Sequence, residues 1–352
     1  MLYEVHKTLV LSFVLLMQIG CTGSSGSDGS SSDSGIPTVK AASSYSVLLE
    51  EDVTYANGLA HNNSSTASFS IPLKLDIYYP NNSVTNRPIF MFIHGGGFKG
   101  GTKTKPEIVE MADYYASRGW VFASVDYRTT EELGAIQGMS QEELITFYKG
   151  IAPREWIEHA FSGAATLEQL QQSIAMYTAQ RDAKAALRWL VANSNSYNAN
   201  VDFITVGGAS AGSITTIALG ISNQEDFRDE ISTADDATLS SSNLNESYVV
   251  KSMVYFWGSN LKLDVFESVY SLDRYDESDP ELFMAHGDQD DPVTPYDEAL
   301  ELQVIYDSLG IYNELATLYG KGHGAWDAEV DGKGLSELSF DFIVDRQNLK
   351  VE

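Results

Sequence analysis

Residues 207–212 read GGASAG and follow directly on the apolar run Phe203-Ile204-Thr205-Val206. Glycines stand two residues before and two residues after Ser210, with a third at position 207. A G-x-S-x-G pattern of this kind has two readings. The serine is either a nucleophile on a sharp strand-to-helix turn or a serine in a flexible glycine loop. The pattern is short and built from common residues, so its surroundings must decide. It occurs once in the chain, and the Gly/Ser-rich stretch near the N-terminus does not contain it.

Outward from this point, strand-like and helix-like segments alternate. LKLDIYYP (73–80) and RPIFMFIHGGG (87–97) read as strands, the second almost continuously apolar as in a strand covered on both faces. KPEIVEMADYYASRG (105–119) reads as a helix with Gly119 past its end, and WVFASVDYR (120–128) as another buried strand. In RDAKAALRWLVANS (181–194), Ala183, Ala186, Leu187, Leu190 and Val191 share one helical face. Strands at 203–208, 249–258, 281–287 and 314–320 and helices from Ala211, near 295–309 and at the C-terminal end continue the pattern. Such alternation predicts a mainly parallel sheet with helices on both faces. Two stretches interrupt it. Residues 129–180 read as an inserted cap of short helices, and the polar, acidic residues 222–248 read as a long surface loop.

The strand, Ser210 and the following helix supply the context that a nucleophile turn needs. Gly208 and Gly212 let strand and helix approach closely, and the amide of Ala211 lies at a helix N-terminus, which favours developing negative charge. HGGGFKGG (94–101) follows the strand at 87–93. Consecutive glycines let main-chain N–H groups converge on one point, as an oxyanion hole requires, although a plain glycine turn reads the same. Six histidines compete for the role of base. His6 lies in the N-terminal apolar region, His61 before the core, His94 in the glycine loop and His159 in the cap. His286 ends a strand, which leaves His323, in YGKGHGAW just beyond the last strand. The acid is expected after the strand at 281–287, where HGDQDDPVTPY offers Asp288, Asp290 and Asp291. Three neighbouring carboxylates also suit a calcium ion, but no EF-hand-like glycine spacing accompanies them.

Together these motifs resemble the α/β-hydrolase superfamily, and within it the hormone-sensitive-lipase-like and small bacterial carboxylesterases. The resemblance covers roughly residues 70–350 and includes LKLDIYYP, VDYR and RDAKAALRWL. It implies an α/β-hydrolase fold and a serine carboxylesterase with Ser210 as nucleophile, His323 as base and, from the H-G-x-x-D pattern, Asp290 as acid. The order Ser…Asp…His is that of α/β-hydrolases, not of chymotrypsin-like or subtilisin-like proteases. Gly96, Gly97 and Ala211 would supply the oxyanion amides, His94 would shape the loop, and no cofactor or metal is needed. Ala209 departs from the Asp frequent in the GDSAG form of hormone-sensitive-lipase-like enzymes. The large type-B carboxylesterases share the HGGGF style but are much longer and generally use Glu as acid. A serine peptidase or amidase on the same scaffold, or a silent binding protein, are the alternatives.

The whole chain of 352 residues carries 22 basic and 49 acidic side chains, a net charge of −27. Such a surface repels nucleic acid, and the partner that the resemblance implies is a small-molecule or lipid ester. Lys7 and the apolar run Leu9–Met17 read as a signal that ends near residue 21. Cys21, the single cysteine, stands where a bacterial lipoprotein signal places its lipidated residue, and the segment resembles such a lipobox, with Gly20 before it and Gln18 in place of the usual aliphatic residue. An ordinary cleaved signal with an incidental cysteine reads the same residues. The expectation is an exported protein of the bacterial cell envelope, membrane-tethered through Cys21 or secreted. A Gly/Ser-rich tether at 22–44 would lead into a hydrolase domain at 45–352.

Overall fold

A computed structural model describes residues 35–63, 67–271 and 274–352, and over these the alternation becomes a doubly covered sheet. The short strand β1 (Thr38–Val39) precedes two long strands, β2 (Val47–His61) and β3 (Ser68–Pro80). Then follow β4 (Arg87–Ile93), α1 (Pro106–Ala116) and β5 (Val121–Val125). The insertion contributes α2 (Gln141–Phe147) and α3 (Arg154–Gly163), and α4 (Leu167–Ala192) leads back to the sheet. The second half holds β6 (Ala199–Ala209), α5 (Ala211–Ile221), β7 (Ser252–Phe256), α6 (Val265–Tyr270) and β8 (Glu281–Gly287). It ends with α7 (Tyr296–Leu309), β9 (Asn313–Leu318), the small hairpin β10 (Glu329–Val330) and β11 (Lys333–Gly334), α8 (Leu335–Arg346) and β12 (Lys350–Val351).

Eight strands form the main sheet in the order β2-β3-β5-β4-β6-β7-β8-β9. β3 runs antiparallel to both neighbours, and every pairing from β5 to β9 is parallel. β4 shows why its sequence is apolar throughout. Successive side chains alternate between faces, so Ile89, Met91 and Ile93 enter one core while Phe90 and Phe92 enter the other. α4 and α5 cover the first face; α1 and α8 cover the second. The strand order reverses at β4, with β5 on one side and β6 on the other. In open α/β sheets the crevice at the carboxyl ends of such strands is where ligands bind. The glycine loop follows β4 and Ser210 follows β6, so both reach this crevice.

Three boundaries differ from the sequence expectation. The tether was expected to extend to residue 44, but β1 pairs in parallel with β12 and Val39 is fully buried. A short apolar side chain amid polar residues gave no periodic signal. The expected cap, 129–180, ends inside a helix: α4 runs unbroken from Leu167 to Ala192. Thr166 caps it by accepting from the Gln169 amide, and no glycine or proline interrupts the helix. Residues 222–248 are not a detached surface loop either, because Phe227, Ile231, Leu239 and Tyr248 are buried. Charged side chains of α4 hold this segment: Lys184 Nζ donates to the carbonyls of Asn223 and Asp226, and Arg188 Nε to that of Ser242. Burial pushes the Lys184 ammonium down to about 7. The signal region, including Cys21, lies outside the described residues.

Candidate active site

Ser210 stands between the end of β6 and the first turn of α5, with φ 55° and ψ −120°. A side chain with positive φ costs roughly 1–3 kcal/mol and persists only where its surroundings over-determine it. Here they do. The Ser210 amide donates to the Phe256 carbonyl at 2.8 Å. Ser213 Oγ accepts from the Phe256 amide at 2.9 Å and lies 2.7 Å from the Gly208 carbonyl, which fastens the turn to β7. The two flanking glycines are required by contact. A Cβ on Gly208 would lie 2.3 Å from the Gly212 backbone, and one on Gly212 would lie 2.0 Å from the Ile93 carbonyl oxygen.

His323 comes from the loop after β9, and its Nε2 lies 2.9 Å from Ser210 Oγ. Its other nitrogen, Nδ1, lies 2.8 Å from Asp290 Oδ2. With the proton on Nδ1 donated to the carboxylate, Nε2 is left free to accept from the serine hydroxyl. Asp290 is 2% exposed, in the loop between β8 and α7. The other two carboxylates of HGDQDDPVTPY point elsewhere. Asp288 Oδ1 accepts from the Gly320 amide at 2.7 Å, and Asp291 is exposed.

The oxyanion candidates meet at the same place. Gly96 and Gly97 have φ of +127° and +61°, a path that bends the loop after β4 towards Ser210. A Cβ on Gly95 would lie 3.0 Å from Ser210 Cβ, which measures how close loop and serine are. Among the described residues the amides of Gly96, Gly97 and Ala211 donate to no protein acceptor. Ala211 also opens α5, so its amide adds the positive end of the helix dipole.

The remaining histidines have separate partners. His94 is buried, stacks on Tyr127, and has Nδ1 2.7 Å from the Gly95 carbonyl and Nε2 3.4 Å from Asp126. His61 ends β2, is buried and stacks on Phe147. His286 is buried with Nε2 2.8 Å from the Thr294 carbonyl and 3.2 Å from Asp290 Oδ2. Burial pushes its imidazole below the ordinary value. An Nε2 facing two oxygens carries a proton, so His286 donates through it.

A cavity of about 500 Å³ opens over Ser210. Phe98, Met176, Ile214 and Val265 make its wall apolar, while His159, Gln172, Ser259 and Lys262 add polar groups. His159, placed in the cap by sequence, lines this cavity from α3. Sequence reasoning also missed Gln172, whose Nε2 donates to the Gly97 carbonyl at 2.7 Å, and Thr294, which touches both Asp290 and His323. Neither stands in a motif that marks it.

The family model BD-FAE, of an α/β-hydrolase-type esterase family, matches residues 75–139 and 154–260. The match ends before Asp290 and His323. Comparison with curated proteins by sequence finds no match. Among solved structures, a truncated carbohydrate esterase from gut microbiota superposes with a TM-score of 0.54 at 18% identity, covering 88% of this chain and 99% of its own. Esterase 2 of the planctomycete Thermogutta terrifontis, bound to butyrate, gives 0.52 at 16% identity, covering 78% and 90%. The same esterase phosphonylated by sarin gives 0.52 at 18% identity over the same shares. With its sheet order, its strand–turn–helix at Ser210 and these likenesses, the chain has an α/β-hydrolase fold.

Proposed function

We propose that this protein of α/β-hydrolase fold is a serine carboxylesterase acting through an acyl-enzyme. Ser210 attacks the ester carbonyl while His323 takes its proton, and Asp290 holds the imidazole in the productive tautomer. The amides of Gly96, Gly97 and Ala211 receive the tetrahedral oxyanion. They are fixed in advance, so they need no reorganisation as charge develops. His323 then protonates the leaving alcohol, and water attacks the acyl-enzyme through the same base. The observation that supports this most is the continuous chain from Ser210 Oγ, which lines the cavity, through His323 to Asp290, at 2.9 and 2.8 Å.

Related folds carry known esterases, one of them recorded in a sarin-phosphonylated form. A fluorophosphonate probe is therefore the fitting reagent. The protein should be labelled and should turn over p-nitrophenyl esters faster than matched anilides. Ser210→Ala should abolish labelling and lower turnover on the order of 10⁴-fold or more with unchanged circular dichroism. Asp290→Asn should lose several orders of magnitude in turnover, while Asp288→Asn and Asp291→Asn stay near wild type. A labelled, active Ser210→Ala protein would overturn the mechanism. Preference for the anilide would make the protein an amidase.

A further inference from the structure

A carboxylate that orients a catalytic imidazole must itself be kept from rotating, and the groups that hold Asp290 single out one residue. Asp290 Oδ2 is approached by three donors: His323 Nδ1 at 2.8 Å, Thr294 Oγ1 at 2.8 Å and His286 Nε2 at 3.2 Å. Thr294 is buried, and its hydroxyl also lies 3.0 Å from His323 Nδ1 and 3.1 Å from the Trp257 carbonyl oxygen. We propose that Thr294 is a positioning residue of the catalytic chain, holding the Asp290 carboxylate and the His323 ring in register through one hydroxyl. The proposal rests on the esterase reading above.

A threonine hydroxyl has a single proton to give and lone pairs with which to accept. The carboxylate is the shorter contact and the charged acceptor, and bonds to charged acceptors are the stronger ones. The Thr294 proton therefore goes to Asp290 Oδ2. The lone pairs remain beside the Nδ1–H of His323, which is then shared between the carboxylate and the hydroxyl. Thr294 is itself anchored through its backbone. Its carbonyl accepts from His286 Nε2 at 2.8 Å, and its amide lies 3.5 Å from Asp290 Oδ1. The Trp257 carbonyl, at the end of β7, limits the hydroxyl from the remaining side. β-Branching restricts rotation about χ1, so the hydroxyl keeps its direction. His323, by contrast, stands on a loop and is a quarter exposed. Thr294 acts on the reaction through Asp290 and His323, not by contact with the reacting atoms.

The test is Thr294→Val, which keeps shape and removes the hydroxyl, beside Thr294→Ser, which keeps the hydroxyl. Thr294→Val should lower kcat about ten- to a hundredfold, the cost of one hydrogen bond to a charged group, with KM within about twofold. Thr294→Ser should restore most of the loss. A readout independent of turnover is the His323 Nδ1–H proton resonance of the resting protein. It should be sharp and downfield in wild type and Thr294→Ser, and broadened by exchange in Thr294→Val. Wild-type kcat and an unchanged resonance in Thr294→Val would overturn the proposal, as would a Thr294→Ser variant as impaired as the valine. If the wild-type protein hydrolyses no ester and takes no fluorophosphonate, the esterase reading fails, and the resonance still decides whether Thr294 holds the ring.

Discussion

A methyl added at position 212 would meet the Ile93 carbonyl oxygen at 2.0 Å, and that oxygen belongs to the strand leading into the glycine loop. Gly212→Ala must therefore push α5 away from β4, separating Ser210 from Gly96 and Gly97. Overpacking of this kind costs about 1–3 kcal/mol. The expected outcome is a folded protein with lower thermal stability and turnover reduced at least a hundredfold, measured by calorimetry and p-nitrophenyl ester hydrolysis. At this scale the sequence was most legible where chemistry demands rare combinations. A serine between spaced glycines, a histidine past the last strand and an aspartate after a strand are visible as a string of letters. Thr294 was not, because its importance lies in distances to Asp290 and Trp257 that no spacing encodes.

The insertion before Ser210 connects to the glycine loop after β4 through α4. Gln172 Nε2 donates to the Gly97 carbonyl at 2.7 Å while the residue lines the cavity. Lys99 and Glu168 pair at 2.6 Å beside it, but both are exposed and such pairs contribute little. Gln172 is thus the stronger attachment between α4 and the glycine loop after β4. Gln172→Met keeps the length of the side chain without its donor. It should lower kcat for a small ester about three- to tenfold, the range of one neutral hydrogen bond, and loosen binding of a boronic-acid analogue of the tetrahedral state by the same factor. Equal affinity for the analogue would detach Gln172 from the proposed oxyanion site. The apolar face of α4 could be read from periodicity, but its buried charges could not. Asp182 holds Arg128, with an N–O distance of 2.6 Å, and Lys184 and Arg188 hold carbonyls of the segment at 222–248. Charged residues on a helix ordinarily mark its solvent side, and the partners that reverse this reading lie about 40 or more residues away.

Across the whole molecule, the parallel sheet and both of its cores follow from alternation and apolar runs, which is why the architecture was visible before the boundaries were. One part of its pH response follows from a group buried beneath the site. His286 has an imidazole pushed below its ordinary value by burial, whereas a histidine of the unfolded chain titrates at about 6.5. Its contribution to stability is fully present above the unfolded value and is lost as pH falls through the lower folded value, because the unfolded state then binds the extra proton. Asp290 and His323 face it, so the test compares wild type with His286→Gln in urea unfolding between pH 8 and 5. The variant should show a shallower fall, and identical slopes would assign the acid sensitivity to other groups.

The pairing of β1 with β12 also bears on the path of the chain. Lys350 donates to the Pro37 carbonyl, Glu352 to that of Val39, and Ala41 to that of Glu352, so the backbone returns to where the described part begins. Topologically the domain is close to a closed ring. A short linker could splice Glu352 to Gly35, and new ends could be cut in the exposed turn at Val84 without depriving any strand of its neighbour. Such a permuted chain would visit the strands in a shifted cyclic order yet rebuild the same sheet. The pattern of adjacency, and not the residue at which synthesis starts, is what the folded state conserves.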